Sequence, residues 1–154
     1  MKTRFTLLTL LTVVVGMTIC FAQDPSMGTW KLNEAKSKLV AGTTKNNTVV
    51  YEMAGDNIKV TIDGVDGQGK AFHSEWTGKF DGKDYPVTGD PSSDARSAKK
   101  IDDHHLDLTV KKDGKLIATG KVVIAADGKS RTLTTSGTDA AGKKTRSVAV
   151  YDKQ

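Results

Sequence analysis

The sequence predicts an all-β chain, an antiparallel up-and-down meander closing into a barrel of about 8–10 strands. Three observations carry that prediction. Turn dipeptides recur at strand-length intervals, at Gly55-Asp56, Asp63-Gly64, Asp81-Gly82, Gly89-Asp90-Pro91, Asp113-Gly114, Asp127-Gly128 and Ala141-Gly142. Asp-Gly supplies the positive φ that a tight hairpin needs, so each one marks a reversal. Between them the apolar residues alternate with period two, as a half-buried strand requires. No stretch outside the N-terminal leader offers an amphipathic helical face longer than two turns.

The chain has 154 residues and a formal charge of +5. Lys2 and Arg4 form a positive head, Phe5 to Ile19 is an apolar and threonine-rich stretch, and Cys20-Phe21-Ala22 ends on a small residue. This pattern predicts a signal peptide over residues 1–22, cleaved after Ala22, and a single domain over 23–154, secreted or periplasmic. The apolar stretch falls short of the roughly 20 residues a spanning helix needs. Lipid attachment at Cys20 is disfavoured because Ile19 stands where a small residue is wanted. Without the leader the charge is about +3, since Lys2 and Arg4 leave with it. The single cysteine also leaves, which excludes a disulfide, a cysteine-ligated zinc site and a cysteine nucleophile from the mature protein.

The elements follow in order. Gly28-Thr29-Trp30 heads the first strand, and Asn33 is placed to cap a short turn over Asn33 to Lys38. Val49, Tyr51 and Met53 share one face, as do Ile58, Val60 and Ile62. From Lys70 to Phe80 the alternation is most explicit: Phe72, Ser74, Trp76, Gly78 and Phe80 point one way, and the intervening residues, mostly polar, the other. Alternating large and small inward residues suit the taper of a small barrel. Asp102-Asp103-His104-His105 reads as a turn, and Leu106, Leu108 and Val110 share a face. Leu116 to Ala126 is apolar on both faces, as though another segment covered it. Arg131 to Thr138 and Thr145 to Tyr151 complete the set. A two-sheet sandwich is the other economical architecture, but closure removes the exposed edges that threaten a meander.

The head of the first strand, continued as Gly28-Thr29-Trp30-Lys31-Leu32-Asn33, resembles the Gly-x-Trp opening of the lipocalins and related calycins. With Glu75-Trp76-Thr77-Gly78-Lys79-Phe80-Asp81-Gly82-Lys83-Asp84-Tyr85-Pro86-Val87-Thr88-Gly89 and the closing Val150-Tyr151-Asp152-Lys153, it is similar to a group of small secreted bacterial lipocalin-like proteins. The resemblance implies that Trp30 packs across the closed end of the barrel under an arginine from the last strand. Arg146 is the best match for that arginine and Arg131 its rival, and the resemblance gives the pair Trp30 and Arg146 a structural role. The Thr-Asp-Tyr type motif found in many lipocalins is missing, which leaves the ligand class open.

A barrel of this size either fills with its own side chains or holds one small ligand. Tyr51, Phe72, Trp76 and Tyr85, with Met53 and Phe80, supply aromatic and apolar bulk, while Ser74, Gly78, Ala118 and Gly120 return space. The expected function is therefore binding of a small apolar or amphipathic molecule, with Tyr51, Phe72, Trp76, Tyr85 and Arg131 as candidate lining. Arg131 would hold an anionic head group if it faces an open cavity beside Leu133. The alternative is a filled barrel without small ligand, acting as an envelope interaction or stress-associated protein.

Other classes find little support. No nucleophile accompanies His73, His104 or His105, so no catalytic residue is assigned and the chain is not expected to be an enzyme. Adjacent histidines on a strand diverge, which is poor geometry for a shared metal, and Asp63 with Asp66 lacks the alternating ligands of a calcium loop. No metal or cofactor is assigned. The lysines are scattered at hairpins without interleaved aromatics, which argues against nucleic acid. No transmembrane segment is expected in the mature chain, and the oligomeric state stays open.

Overall fold

A computed structural model of the chain describes residues 24–138 and 142–154. The leader expected over residues 1–22 lies outside the described residues.

Ten strands form: β1 Gly28–Leu32, β2 Lys45–Ala54, β3 Asn57–Val65, β4 Ala71–Gly78, β5 Asp81–Thr88, β6 Ala95–Asp102, β7 His105–Lys112, β8 Lys115–Ile124, β9 Ser130–Thr138 and β10 Lys144–Lys153. Each pairs antiparallel with its sequence neighbours, and β1 closes the ring against β10 through Trp30↔Lys153 and Leu32↔Tyr151. The meander is thus a closed barrel without a free edge, the expected fold class. The one helical piece among the described residues is a 3-10 turn, Glu34–Lys36, capped as the sequence predicts: Asn33 Oδ1 accepts from the Lys36 N–H at 3.1 Å.

The turn dipeptides place most reversals correctly but misplace two. Asp63-Gly64 lies inside β3, where Gly64 pairs with Phe72. The chain turns three residues later because the Asp66 side chain organises the loop, its Oδ1 accepting from the backbone N–H of Gln68 and Lys70 at 2.9 Å each. Asp81-Gly82 opens β5 instead of preceding it. Two inward assignments also change. Met53, near the end of β2, is 63% exposed. The second apolar face of Leu116 to Ala126 is uncovered: Leu116 and Val123 are exposed, because a single-layer barrel has only one dry side and β-branched residues suit a strand on either.

The β4–β5 seam is thin, with register pairs only at Glu75↔Thr88 and Trp76↔Val87. Val87 donates its N–H to Asp94 on the β6 side (2.9 Å), so the neighbouring residue 86 faces β4, and there Pro86 has no N–H to give. Trp76 compensates by reaching across β5, its Nε1 donating to the Arg96 carbonyl on β6 at 2.9 Å.

Alternation drives the packing. Val49 and Tyr51 on β2, Val60 and Ile62 on β3, Trp76 on β4, Leu106 on β7, Val122 and Ile124 on β8 and Tyr151 on β10 all bury inward. One barrel end holds the β2–β3, β4–β5, β6–β7 and β8–β9 turns. The segment Asp24 to Met27 tucks into it, with Ser26 and Met27 buried. Asp24 ties that segment to β6 by a 2.7 Å ion pair with Lys100. The opposite end, carrying the 33–44 loop and the β3–β4, β5–β6 and β7–β8 turns, is the mouth.

Candidate functional site

The closed end is built around Trp30, which is 0% exposed. Its Nε1 donates to the Ser26 carbonyl at 2.9 Å, so the N-terminal segment and the first strand hold each other. The Arg131 guanidinium lies over its ring, 4.7 Å from the centroid, and the Lys153 ammonium lies 5.1 Å from it. Lys153 crosses there because Gly28, at φ +104, has no side chain: a Cβ would sit 3.1 Å from Lys153 Cε. Lys153 then donates to the Pro25 carbonyl at 3.1 Å.

Arg131 takes the place that the resemblance gave first to Arg146. Trp30 pairs with Lys153 on β10, seven residues from Arg146, and at about 3.3 Å per residue that puts the two side chains roughly 23 Å apart along the strand. Arg146 is exposed near the mouth, opposite Ser136. Arg131 sits near the start of β9, opposite Tyr151. The inward parity of β9 sends it under the barrel core, and it is 4% exposed.

Above this floor lies a cavity of about 420 Å³. It runs from Arg131 to the rim at Thr138, seven residues of β9, which in a barrel tilted by about 40° is roughly 18 Å of depth. Of the candidate lining residues, Tyr51, Trp76 and Arg131 border it. Phe72 and Tyr85 do not. Phe72 packs on Gly64 near the mouth, where a Cβ would come within 2.8 Å of its ring. Tyr85 packs edge-on against Trp76, with centroids 5.8 Å apart, and fills the space above Gly78, where a Cβ would be 2.6 Å from its ring. The Tyr85 hydroxyl turns outward to donate to Asp81 at 3.0 Å. Gly78 therefore makes room for two rings, while Ala118 and Gly120 border open space as expected.

The ionisable groups of the wall are mostly neutralised in pairs. Lys45 at the rim meets Glu34 at 2.9 Å. Arg96 and Asp90 form a part-buried pair at 3.0 Å. Burial opposes the charge on Asp90, but hydrogen bonds from Ser93 and Ser92, with the Arg96 charge, outweigh it and hold its pKa below the ordinary 3.8. Sequence reasoning passed over this pair, although Asp90-Pro91-Ser92-Ser93 carries the signal of a carboxylate capping its own turn.

Among the described residues no carboxylate pairs with Arg131. Its guanidinium also lies 4.8 Å from the Tyr51 ring centroid and 5.0 Å from that of Tyr151, but its Nε and Nη1 have no hydrogen-bond partner among those residues, as is also true of the Arg96 Nε. Tyr151 has its pKa pushed up to about 12 by burial, the nearby Arg131 charge opposing that rise.

The histidines lie apart from the cavity lining. His73 contacts Asp63 at 2.7 Å across β3 and β4, a pair exposed to solvent, and the hydrogen bond to Asp63 raises its pKa above 6.5. Glu75 meets Lys59 at 2.6 Å on the same surface. His104 approaches the Ile124 carbonyl and His105 the Asp102 carboxylate, so the adjacent pair diverges. Among the described residues no group of three or more His, Cys, Asp or Glu is arranged to hold a metal ion. Among the same residues no helix is long and apolar enough to cross a membrane.

No protein-family model matches this chain, and no curated relative matches it in sequence. Among solved structures, a redesigned β-barrel, mFAP1, bound to DFHBI, aligns over 84% of this chain and 95% of its own, at 14% identity and a TM-score of 0.42.

Proposed function

We propose that the protein is a secreted or periplasmic lipocalin-like binder that holds one small apolar or amphipathic molecule inside its barrel, without chemistry. The single observation that carries this reading is the 420 Å³ interior cavity, within the range of small-molecule sites. Tyr51, Trp76, Leu108 and Val122 make the middle of its wall apolar, with Arg131 at the floor and Lys45, Asn46 and Thr138 toward the rim, a composition that suits a binding pocket. The reading departs from a filled barrel in one respect: small residues at Ala118 and Gly120 stand where larger ones would close the space.

The test is native mass spectrometry of the protein secreted through its own leader, paired with titration of the neutral probe N-phenyl-1-naphthylamine. A mass for residues 23–154 plus an adduct released by denaturation, or saturable probe binding weakened by Trp76→Ala, supports the reading. A bare 23–154 mass with no probe uptake sinks it in favour of the filled barrel. An uncleaved chain retained in the cytoplasm sinks the compartment.

A further inference from the structure

We infer that the ligand is an apolar monocarboxylate, bound head-down, with its carboxylate on Arg131 at the closed end and its apolar body running toward the mouth. This rests on the binder reading above and narrows it to a chemical class and an orientation.

Among the described residues four ionisable side chains other than tyrosine border the cavity: Lys45, Asp90, Arg96 and Arg131. Glu34 takes Lys45, and Asp90 takes Arg96. Among the described residues one cation remains, at the floor, and burying a cation without an anion is costly. A guest with one negative charge neutralises the wall, whereas a cationic guest would place like charges together in a dry cavity.

Geometry points the same way. The three rings around Arg131 attract its charge through their π faces. They offer no carboxylate lone pairs to the N–H groups, and Nε and Nη1 are left without acceptors in a side chain 96% removed from solvent, 4% being exposed. Nε belongs to the side edge of the guanidinium and Nη1 to its end, and either of them together with Nη2 matches the two oxygens of a carboxylate. Arg131 borders the cavity as a residue, and while Arg96 also has an orphaned Nε, its charge is already met by Asp90. An aliphatic residue would fill the space at lower desolvation cost.

The body of the guest then has one direction to run. Trp30, Tyr51 and Tyr151 occupy the space around the guanidinium, and the N-terminal segment closes the end beneath Trp30. The open volume rises past Trp76, Leu133 and Gly120 to the rim. An acid inserted head-down leaves its apolar end nearest the mouth, so a long chain can protrude and a short one be fully enclosed.

The test displaces N-phenyl-1-naphthylamine with matched pairs, dodecanoate against dodecan-1-ol and 2-naphthoate against 2-naphthol, on the mature protein and on Arg131→Met and Arg131→Lys. The expected result is a preference for the acid of about tenfold or more in at least one pair. Arg131→Met should weaken that acid about 10- to 100-fold while leaving the alcohol unchanged or tighter. Arg131→Lys, which keeps a charge but loses the fork, should fall between. Should Arg131→Met fail to fold, the Lys variant and the wild-type preferences decide alone. Acid and alcohol bound equally in both pairs, or a preference that survives loss of the guanidinium, overturns the inference with the binder reading intact. Failure of every compound, the neutral probe included, overturns the binder reading itself.

Discussion

Trp30→Ala should be among the most damaging single substitutions in the barrel, and the structure sets its size. Removing a buried tryptophan side chain costs about 3–5 kcal/mol through lost transfer energy and the void left behind. Trp30 is fully buried, so the upper half applies. The change also strips the ring from under the Arg131 and Lys153 cations, worth about 1 kcal/mol, and leaves the Ser26 carbonyl without its donor, about another 1 kcal/mol. These terms share atoms and do not add fully, so the expected loss is about 5 kcal/mol, comparable with the whole stability of many domains. Trp30→Phe keeps a ring beneath Arg131 and loses only the indole bond and some area, so about 1–2 kcal/mol is expected. Urea unfolding followed by far-ultraviolet circular dichroism reads both. With a slope of about 2 kcal/mol per M, Trp30→Ala moves the midpoint down by about 2–3 M or leaves the chain unfolded, and Trp30→Phe by less than about 1 M. A loss under about 2 kcal/mol for the alanine variant, or equal losses for both, would refute the account of Trp30 as the keystone of the closed end.

Three further outcomes are expected. The folded pKa of Asp90 lies below the ordinary 3.8, so the stability it contributes is present above pH 3.8 and is lost as pH falls through the folded value. Asp90→Asn should therefore flatten the acid limb of a stability-against-pH curve, and an unchanged limb would discard the pair as a stabilising element. The raised pKa of Tyr151 works in the opposite direction: its contribution is complete below pH 10.0 and is lost as pH rises toward about 12, on the order of 3 kcal/mol in total. Tyrosinate absorbance should show this residue ionising last, together with unfolding, and Tyr151→Phe should remove the alkaline transition. Gly120→Val adds a β-branched residue that favours the strand, yet its Cβ falls 3.1 Å from Leu133 Cδ1 and 3.3 Å from Leu108 Cβ. Overpacking there should cost about 1–3 kcal/mol while naphthylamine uptake drops at least about tenfold, and uptake equal to wild type in a folded variant would move the binding volume elsewhere.

Much of this architecture was legible because strand and hairpin signals are local. Period-two alternation at Val49 and Tyr51, at Val60 and Ile62 and along Ser74, Trp76 and Gly78 reports which side chains face inward, and Asp113-Gly114 and Asp127-Gly128 report where the chain reverses. Where local signals failed, a side chain acted on its own loop, as Asp66 did in moving the reversal beyond Asp63-Gly64. The site was harder. Tyr51 and Trp76 border the cavity as parity suggested, and Arg131 borders it with Leu133, whereas Phe72, of the same inward parity, and Tyr85 are spent on covering Gly64 and Gly78. Alternation gives a face but no height along the barrel, and height separates a lining residue from a packing one.

The choice between Arg131 and Arg146 turns on the same distinction. Both are arginines on late strands, and nothing in the spacing of residues within one strand ranks them. Pairing settles it: β10 meets β1 with Lys153 opposite Trp30, which leaves Arg146 at the far rim, and β9 brings Arg131 beneath the core beside Tyr151. By itself, then, the sequence determined strand order, turn chemistry and the inward face, each a property of a few consecutive residues. Only the tertiary structure decided which cation is buried, which carboxylates neutralise the others and how much room the aromatics leave. Those depend on the register and closure of ten strands, and they join residues more than a hundred positions apart, as Trp30 and Arg131 are.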